Sequence, residues 1–323
     1  MREAWQEAQV AVRVAGLSKS YGRLSALSGV SFEVQTGGVF AYLGPNGAGK
    51  TTTINILAGL LPRDAGEVAI CGLDVSESPV AVKSRIGVVT DSSNLYPELR
   101  CRRNFEYLGE LYGLGPPERR SRAGQLLEQF GLAEQADRPF GSLSRGMKRR
   151  LTIAAALVHD PEVLFLDEPT TGLDVPSARA LRQLVKQVAR DGTTVFLTTH
   201  NLAEAEILAD DVAILIRGRI VARGTVDELH GRVGEARRVA VRFSADVSPE
   251  KAKASCPSVR QAGRKEGMLH LEVAGLHFAI LELSDFARHE GLQIEDLLCA
   301  PPSLEDTFVN ILDRNDRAGE GGE

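Results

Sequence analysis

The sequence predicts an α/β protein: a parallel sheet carrying an inserted helical subdomain, followed by a small α+β domain of ferredoxin-like order. Three observations carry this expectation. Between Val10 and about His230, short β-branched runs alternate with longer helical stretches, the rhythm of parallel strands joined by helices. From Arg100 to Val158 helical periodicity persists without a convincing strand. Beyond Gly231 the order becomes strand, helix, strand, strand, helix, strand, the split βαβ arrangement.

In chain order, Val39–Leu43, Ile86–Val89 and the runs 163–166, 194–198 and 212–216 are apolar and of strand length. Helical patterns follow three of them, at 51–60, 176–190 and 201–208, with Pro176 suited to a first helical turn. The insert holds amphipathic patterns at 104–112, 118–130 and 146–158. The C-terminal part reads as strand 238–243, helix 248–254, a hairpin pair at 259–264 and Met268–Val273, helix 277–290 and strand 292–297. A last helix is expected to start at Ser303, capped by its hydroxyl, with Asp306 three residues on. The charged, Gly-rich tail 313–323 is expected to be disordered. The implied division is an extension at 1–9, a main domain at 10–230 with its helical subdomain at about 92–160, and an accessory domain at 235–312.

The 323 residues favour two domains over one small core. With 38 basic against 43 acidic residues the net charge is −5, which argues against a surface that wraps a polyanion, so no nucleic-acid partner is expected. No apolar run approaches the ~18 to 20 residues of a bilayer crossing. Residues 1–9 lack an apolar stretch of signal-peptide length, so export of the chain is not expected. Cys71, Cys101, Cys256 and Cys299 are widely and irregularly spaced, which suits reduced thiols in the cytoplasm rather than a disulfide framework or a zinc site.

Chemistry concentrates on one edge of the expected sheet. Gly44, Pro45, Asn46, Gly47, Ala48, Gly49, Lys50 and Thr51 match the pattern G-x-x-x-x-G-K-T, and Thr52 comes next. Such glycines let backbone N–H groups curl around phosphates while the helix after them offers its positive end. Lys50 can then reach the terminal phosphates, and the Thr51 hydroxyl suits Mg²⁺. Because the motif comes after an apolar strand and opens a helical pattern, the core is expected to be a P-loop NTPase (RecA-like). A second apolar run closes on Asp167 and Glu168, delivering two carboxylates to the edge where ligands of open α/β sheets bind. Asp167 is placed to hold Mg²⁺, and Glu168 to orient, or take a proton from, attacking water. His200 follows the run 194–199 on the same edge, within reach of a γ-phosphate and Glu168, and is the second candidate catalytic residue. His159, His230, His270, His277 and His289 are read as structural or exposed.

Together these residues resemble the ATP-binding cassette (ABC) family. Leu143-Ser144-Arg145-Gly146-Met147, just before a helix, resembles the ABC signature, and Thr170-Thr171-Gly172-Leu173-Asp174 the D-loop. His200 resembles the switch histidine, and Tyr21, within Ser18-Lys19-Ser20-Tyr21-Gly22, the aromatic that stacks on adenine. The resemblance covers about 10–230. It implies a head-to-tail dimer with a second ABC ATPase subunit, identical or related, in which Ser144, Gly146 and Asp174 of one chain contact nucleotide held by the P-loop of the other. The stretch Pro302-Ser303-Leu304-Glu305-Asp306-Thr307-Phe308 is similar to tails of bacterial exporter ATPase subunits of the drug-resistance and polysaccharide or lipid export kind. This likeness implies a subunit that binds and hydrolyses Mg-ATP at the inner face of the cell membrane. It would drive an integral membrane permease, touched through the helical subdomain and residues 92–103. A soluble ABC ATPase of translation or DNA repair fits less well, because the chain has one P-loop and no sustained heptads. A low-turnover nucleotide-binding regulator is opposed by the presence of Lys50, Asp167, Glu168 and His200.

Two positions depart from the family pattern. Asp91 stands where a Q-loop glutamine is expected; a carboxylate is still a hard ligand for Mg²⁺, but it is shorter and adds negative charge, so weaker Mg-ATP binding or altered coupling is expected. Arg145 replaces the first signature glycine. It could contact a γ-phosphate across the dimer, or join a solvated basic face with Lys148, Arg149 and Arg150; the second is favoured, since charge runs on helices are usually solvated.

Overall fold

The structure, a computed structural model, describes residues 10–90, 93–231, 237–265, 267–300 and 308. The expectations for 1–9, Asp91, the helix start at Ser303 and the tail 313–323 lie outside these residues. Two compact units emerge, Met1–Thr225 and Val226–Glu323, with the boundary a few residues ahead of the expected 230.

The first unit runs β1 (Val10–Tyr21), β2 (Leu24–Gln35), β3 (Val39–Leu43), α1 (Lys50–Leu57), β4 (Ala65–Ile70), β5 (Leu73–Asp74), α2 (Pro79–Arg85), β6 (Ile86–Val89) and α3 (Cys101–Leu111). It continues with α4 (Pro116–Gln129), α5 (Arg145–Ala155), β7 (Val163–Asp167), α6 (Val175–Arg190), β8 (Thr194–Thr199), α7 (Leu202–Leu208), β9 (Asp211–Ile216) and β10 (Arg219–Gly224). The main sheet has the order β10-β9-β3-β8-β7-β6, parallel except at the β10–β9 pair. Every residue of β3, β7 and β8 is buried, the consequence of continuous apolar runs covered on both faces. Helices α3, α4 and α5 form the insert between β6 and β7, and the described part of 92–160 holds no strand.

A second sheet of this unit, in the order β2-β1-β4-β5 and wholly antiparallel, has no counterpart among the sequence expectations. Its face packs on the main sheet through rings: Phe32 of β2 lies 5.6 Å from Phe40, 5.5 Å from Tyr42 and 5.9 Å from Phe196. Burial pushes the Tyr42 phenol well above its ordinary range. This packing brings the β1–β2 turn, with Tyr21, to the edge where β3 ends.

The second unit comprises α8 (Val226–Gly231), β11 (Arg237–Phe243), α9 (Pro249–Ser255), β12 (Val259–Lys265), β13 (Met268–Val273), α10 (Leu276–His289) and β14 (Ile294–Ala300). Its antiparallel sheet, β12-β13-β11-β14, has the ferredoxin-like order. Ser248 caps α9 by accepting from the Lys251 N–H, and Val239, Leu271, Val273, Ala279 and Leu283 fill a core of its own.

Candidate functional site

The loop between β3 and α1 is shaped by close approach. A Cβ at Gly44 would run into the Leu215 carbonyl, and Gly49, which starts α1 at φ 111°, would meet the Ala26 carbonyl at 2.7 Å if it carried one. Behind the loop Lys50 is nearly buried, at 6% exposure, and its Nζ donates to Gly44 O at 2.8 Å and Pro45 O at 3.2 Å. The same ammonium lies 3.2 Å from Glu168 Oε1.

The end of β7 places the two carboxylates differently. Asp167 is buried and accepts the Thr51 hydroxyl on Oδ2 at 3.0 Å and the Thr198 hydroxyl on Oδ1 at 2.5 Å. Glu168 turns out of the strand at φ 47°, a conformation rarely adopted outside glycine. Its N–H is held by Thr198 O and Oγ1, both at 3.1 Å. Its Oε2 accepts from Thr171 Oγ1 at 2.9 Å and from His200 Nδ1 at 2.5 Å. Glu168 thus lies between a lysine and a histidine, and Asp167 between two threonines.

These side chains line one cavity of about 490 Å³, whose wall includes Tyr21, Asn46, Gly47, Gly49, Lys50, Thr51, Thr52, Asp167, Glu168, Thr171 and His200. Tyr21 is half exposed, and the Lys19 ammonium lies over its ring, 5.9 Å from the centroid. Gly44, Pro45 and Ala48 shape the loop from behind and are not in that wall. Thr51 and Asp167 present hard oxygens side by side, the donor type that suits Mg²⁺. Among the described residues no cluster of three or more His, Cys, Asp or Glu side chains could hold a metal ion unaided.

Ser144, Gly146 and Asp174 do not reach this cavity within the chain. Ser144 caps α5, its Oγ accepting from Met147 N at 3.3 Å; Gly146 is buried where a Cβ would meet Ser177 Oγ at 2.6 Å; Asp174 precedes α6. The basic run after Ser144 departs from the sequence expectation. Arg149 does not belong to a solvated face: it donates to Asp167 O at 2.7 Å, Pro169 O at 2.9 Å and Thr90 O at 2.7 Å, while Arg150 donates to Phe130 O at 3.1 Å. Arg145 donates to Thr171 O at 3.4 Å in its own chain. The cause is packing of α5 beneath the end of β7, which leaves backbone carbonyls needing donors.

Sequence reasoning gave no role to Thr198, Thr171 or Glu204, and placed Arg149 on a solvated face. Thr198 and Thr171 sit inside segments already singled out, and their hydroxyls beside carboxylates were the available signal. Glu204, 1% exposed, accepts from Thr199 Oγ1 at 2.7 Å, and burial raises its carboxyl above the usual range.

A parallel sheet whose β3–α1 loop cradles a lysine and whose β7, separated from β3 by β8, supplies the acidic pair defines a P-loop NTPase. Residues 27–171 match the ABC transporter family. The chain is 39% identical over 305 residues to the daunorubicin resistance ATP-binding protein DrrA2 of Streptomyces coeruleorubidus, covering 93% of this chain and 94% of that protein. It is 35% identical to the linearmycin resistance ATP-binding protein LnrL of Bacillus subtilis, covering 92% and 97%. Among solved structures, one titled as the ATP-binding subunit of an ABC transporter aligns with a TM-score of 0.63 at 32% identity, covering 69% of this chain and 93% of that one. The chain belongs to the ATP-binding ATPase subunits of ABC transporters.

Proposed function

We propose that this chain is the Mg-ATP-hydrolysing motor of an exporter, acting with a second ABC ATPase subunit and a separate membrane permease at the inner face of the cell membrane. One observation carries the reading: Lys50, Thr51, Asp167, Glu168 and His200 converge on a single cavity, with Glu168 held at both oxygens. Support for export comes from the drug-resistance relatives, which align over 92% or more of the chain and so over both units. An antibiotic-like small molecule is the substrate class they suggest. No described helix is long and apolar enough to cross a membrane.

The residues divide the work among adenine, phosphates, metal and water. Tyr21 stacks on adenine, and the N–H groups of 46–52 with Lys50 hold the phosphates. Phosphate oxygens compete with Glu168 for the Lys50 ammonium, and the released carboxylate turns to the water that attacks the γ-phosphate. His200 and Thr171 fix the direction of that carboxylate by donating to its Oε2. Thr51 and Asp167, with Asp91, would hold Mg²⁺, which neutralises charge on the β- and γ-phosphates when bound. Ser144, Gly146 and Asp174, which do not line their own chain's cavity, serve the nucleotide of the partner subunit. Hydrolysis then shifts the population between closed and open dimers, and the helical insert passes that motion to the permease.

The test is to purify the chain from membranes with its partner and compare ATP turnover of the complex with that of Lys50→Ala. Loss of turnover with the complex intact is expected. Surviving turnover, or recovery with ribosomes or DNA instead of a membrane protein, overturns the reading.

A further inference from the structure

We propose that Arg145 is a positioning residue for hydrolysis, tying the start of α5 to Glu168 of the same chain through the turn at Thr171 and Gly172. The inference rests on the assignment of Glu168 as the group that directs the attacking water. It begins with the position itself: the side chain stands one residue after the cap of α5, where the resemblance calls for glycine, and a glycine could reach nothing.

Two contacts fix where the guanidinium goes. It donates to Thr171 O at 3.4 Å, and it covers Gly172, at φ 72°, so closely that a Cβ added there would lie inside the guanidinium. The next residue, Gly146, packs against Ser177 in the first turn of α6. The start of α5 is therefore seated on the turn that leads from Glu168 into α6. Thr171 is also the residue whose hydroxyl donates to Glu168 Oε2 at 2.9 Å, and its N–H donates to Glu168 O at 3.2 Å.

One helical turn on, Arg149 grips the same backbone segment at Asp167 O and Pro169 O. The pair at i and i+4 thus takes the carbonyls of residues 167, 169 and 171 in sequence, a ladder of donors along one helix face. Arg149 holds the strand end in place. Arg145 holds the turn that presents Thr171, so a displacement of α5 moves the hydroxyl that orients Glu168. This makes the signature helix a reporter to its own chain's hydrolytic carboxylate, in addition to any contact it makes across a dimer.

The experiment uses the full-length chain and compares ATP turnover and KM for wild type, Arg145→Gly, Arg145→Lys, Thr171→Val and Arg145→Gly/Thr171→Val, with Glu168→Gln as control. Arg145→Gly is expected to lower kcat about fivefold or more while changing KM for ATP less than about twofold, the pattern of a lost transition-state interaction. Arg145→Lys, which keeps a donor for the Thr171 carbonyl, restores at least half of the loss. In the Thr171→Val background the Arg145→Gly loss shrinks to less than about twofold, because the two residues act in one chain of contacts. An unchanged kcat in Arg145→Gly, a rise in KM instead, or full additivity with Thr171→Val overturns the inference. If Glu168→Gln itself turns over ATP, the assignment of Glu168 fails first, and that outcome is distinct from failure of Arg145 alone.

Discussion

His200 Nδ1 lies 2.5 Å from Glu168 Oε2, the oxygen that also accepts the Thr171 hydroxyl. The imidazole is half exposed while the carboxylate is mostly covered, so the histidine closes the solvent side of Glu168. With Lys50 on Oε1, both carboxylate oxygens are held by donors. His200→Ala should therefore lower kcat by about tenfold or more with little change in ATP affinity, since positioning of a general base acts on the transition state. Steady-state kinetics paired with a nucleotide-binding titration checks this; weakened binding with unchanged kcat would contradict it.

Gly44 has no room for a side chain, because the obstruction is the Leu215 carbonyl of β9, backbone rather than a flexible tip. Gly44→Ala should displace the loop that cradles Lys50 and weaken ATP binding about tenfold or more, along with a lower melting temperature. A nucleotide titration and a thermal melt read both effects.

Glu204 makes stability depend on pH. Burial raises its carboxyl, with the Thr199 and Thr170 side chains and Arg182 opposing the shift and Glu168 adding to it. A folded group that holds its proton more tightly than the unfolded one contributes stability that is full below the ordinary glutamate range and is lost as pH rises through the raised value. Glu204→Gln, neutral at every pH, should lack that loss. Its stability advantage over wild type should widen from the ordinary glutamate range upward and then level off; parallel curves for the two proteins would refute this.

Leu283 is fully buried in the second unit's own core. Leu283→Ala should cost that unit about 2 to 5 kcal/mol. If the accessory domain is a separate folding unit, calorimetry should show one transition moving down while the nucleotide-binding transition stays in place.

The legible parts of this molecule are those whose cause is local. The P-loop and the strands before it and before Glu168 declare themselves through continuous apolar runs and glycine spacing, because burial on both faces and close backbone approach constrain neighbouring residues directly. The antiparallel sheet was not readable: β1 changes register against β2 between Val14 and Leu17 and again between Leu17 and Lys19, which breaks the alternation that marks a half-buried strand. Arg149 was misread for another reason. Its partners are main-chain carbonyls at 90, 167 and 169, and a carbonyl is the same at every position, so nothing in the sequence distinguishes a buried backbone clamp from a solvated charge. The approach of His200 to Glu168 was legible because both follow strands that end on one sheet edge, whereas the Lys50–Glu168 pair joins segments more than a hundred residues apart and carries no local sequence signal.

The central claim is that Glu168, held by Lys50, Thr171 and His200, directs the attack on bound ATP. The most direct measurement is of Glu168→Gln beside wild type, with ATP binding and ATP hydrolysis recorded on the same preparation. The amide keeps the size of the side chain and removes its charge, so binding should persist at near wild-type strength while turnover falls by about a hundredfold or more. Turnover that survives in Glu168→Gln at comparable ATP occupancy would contradict the account.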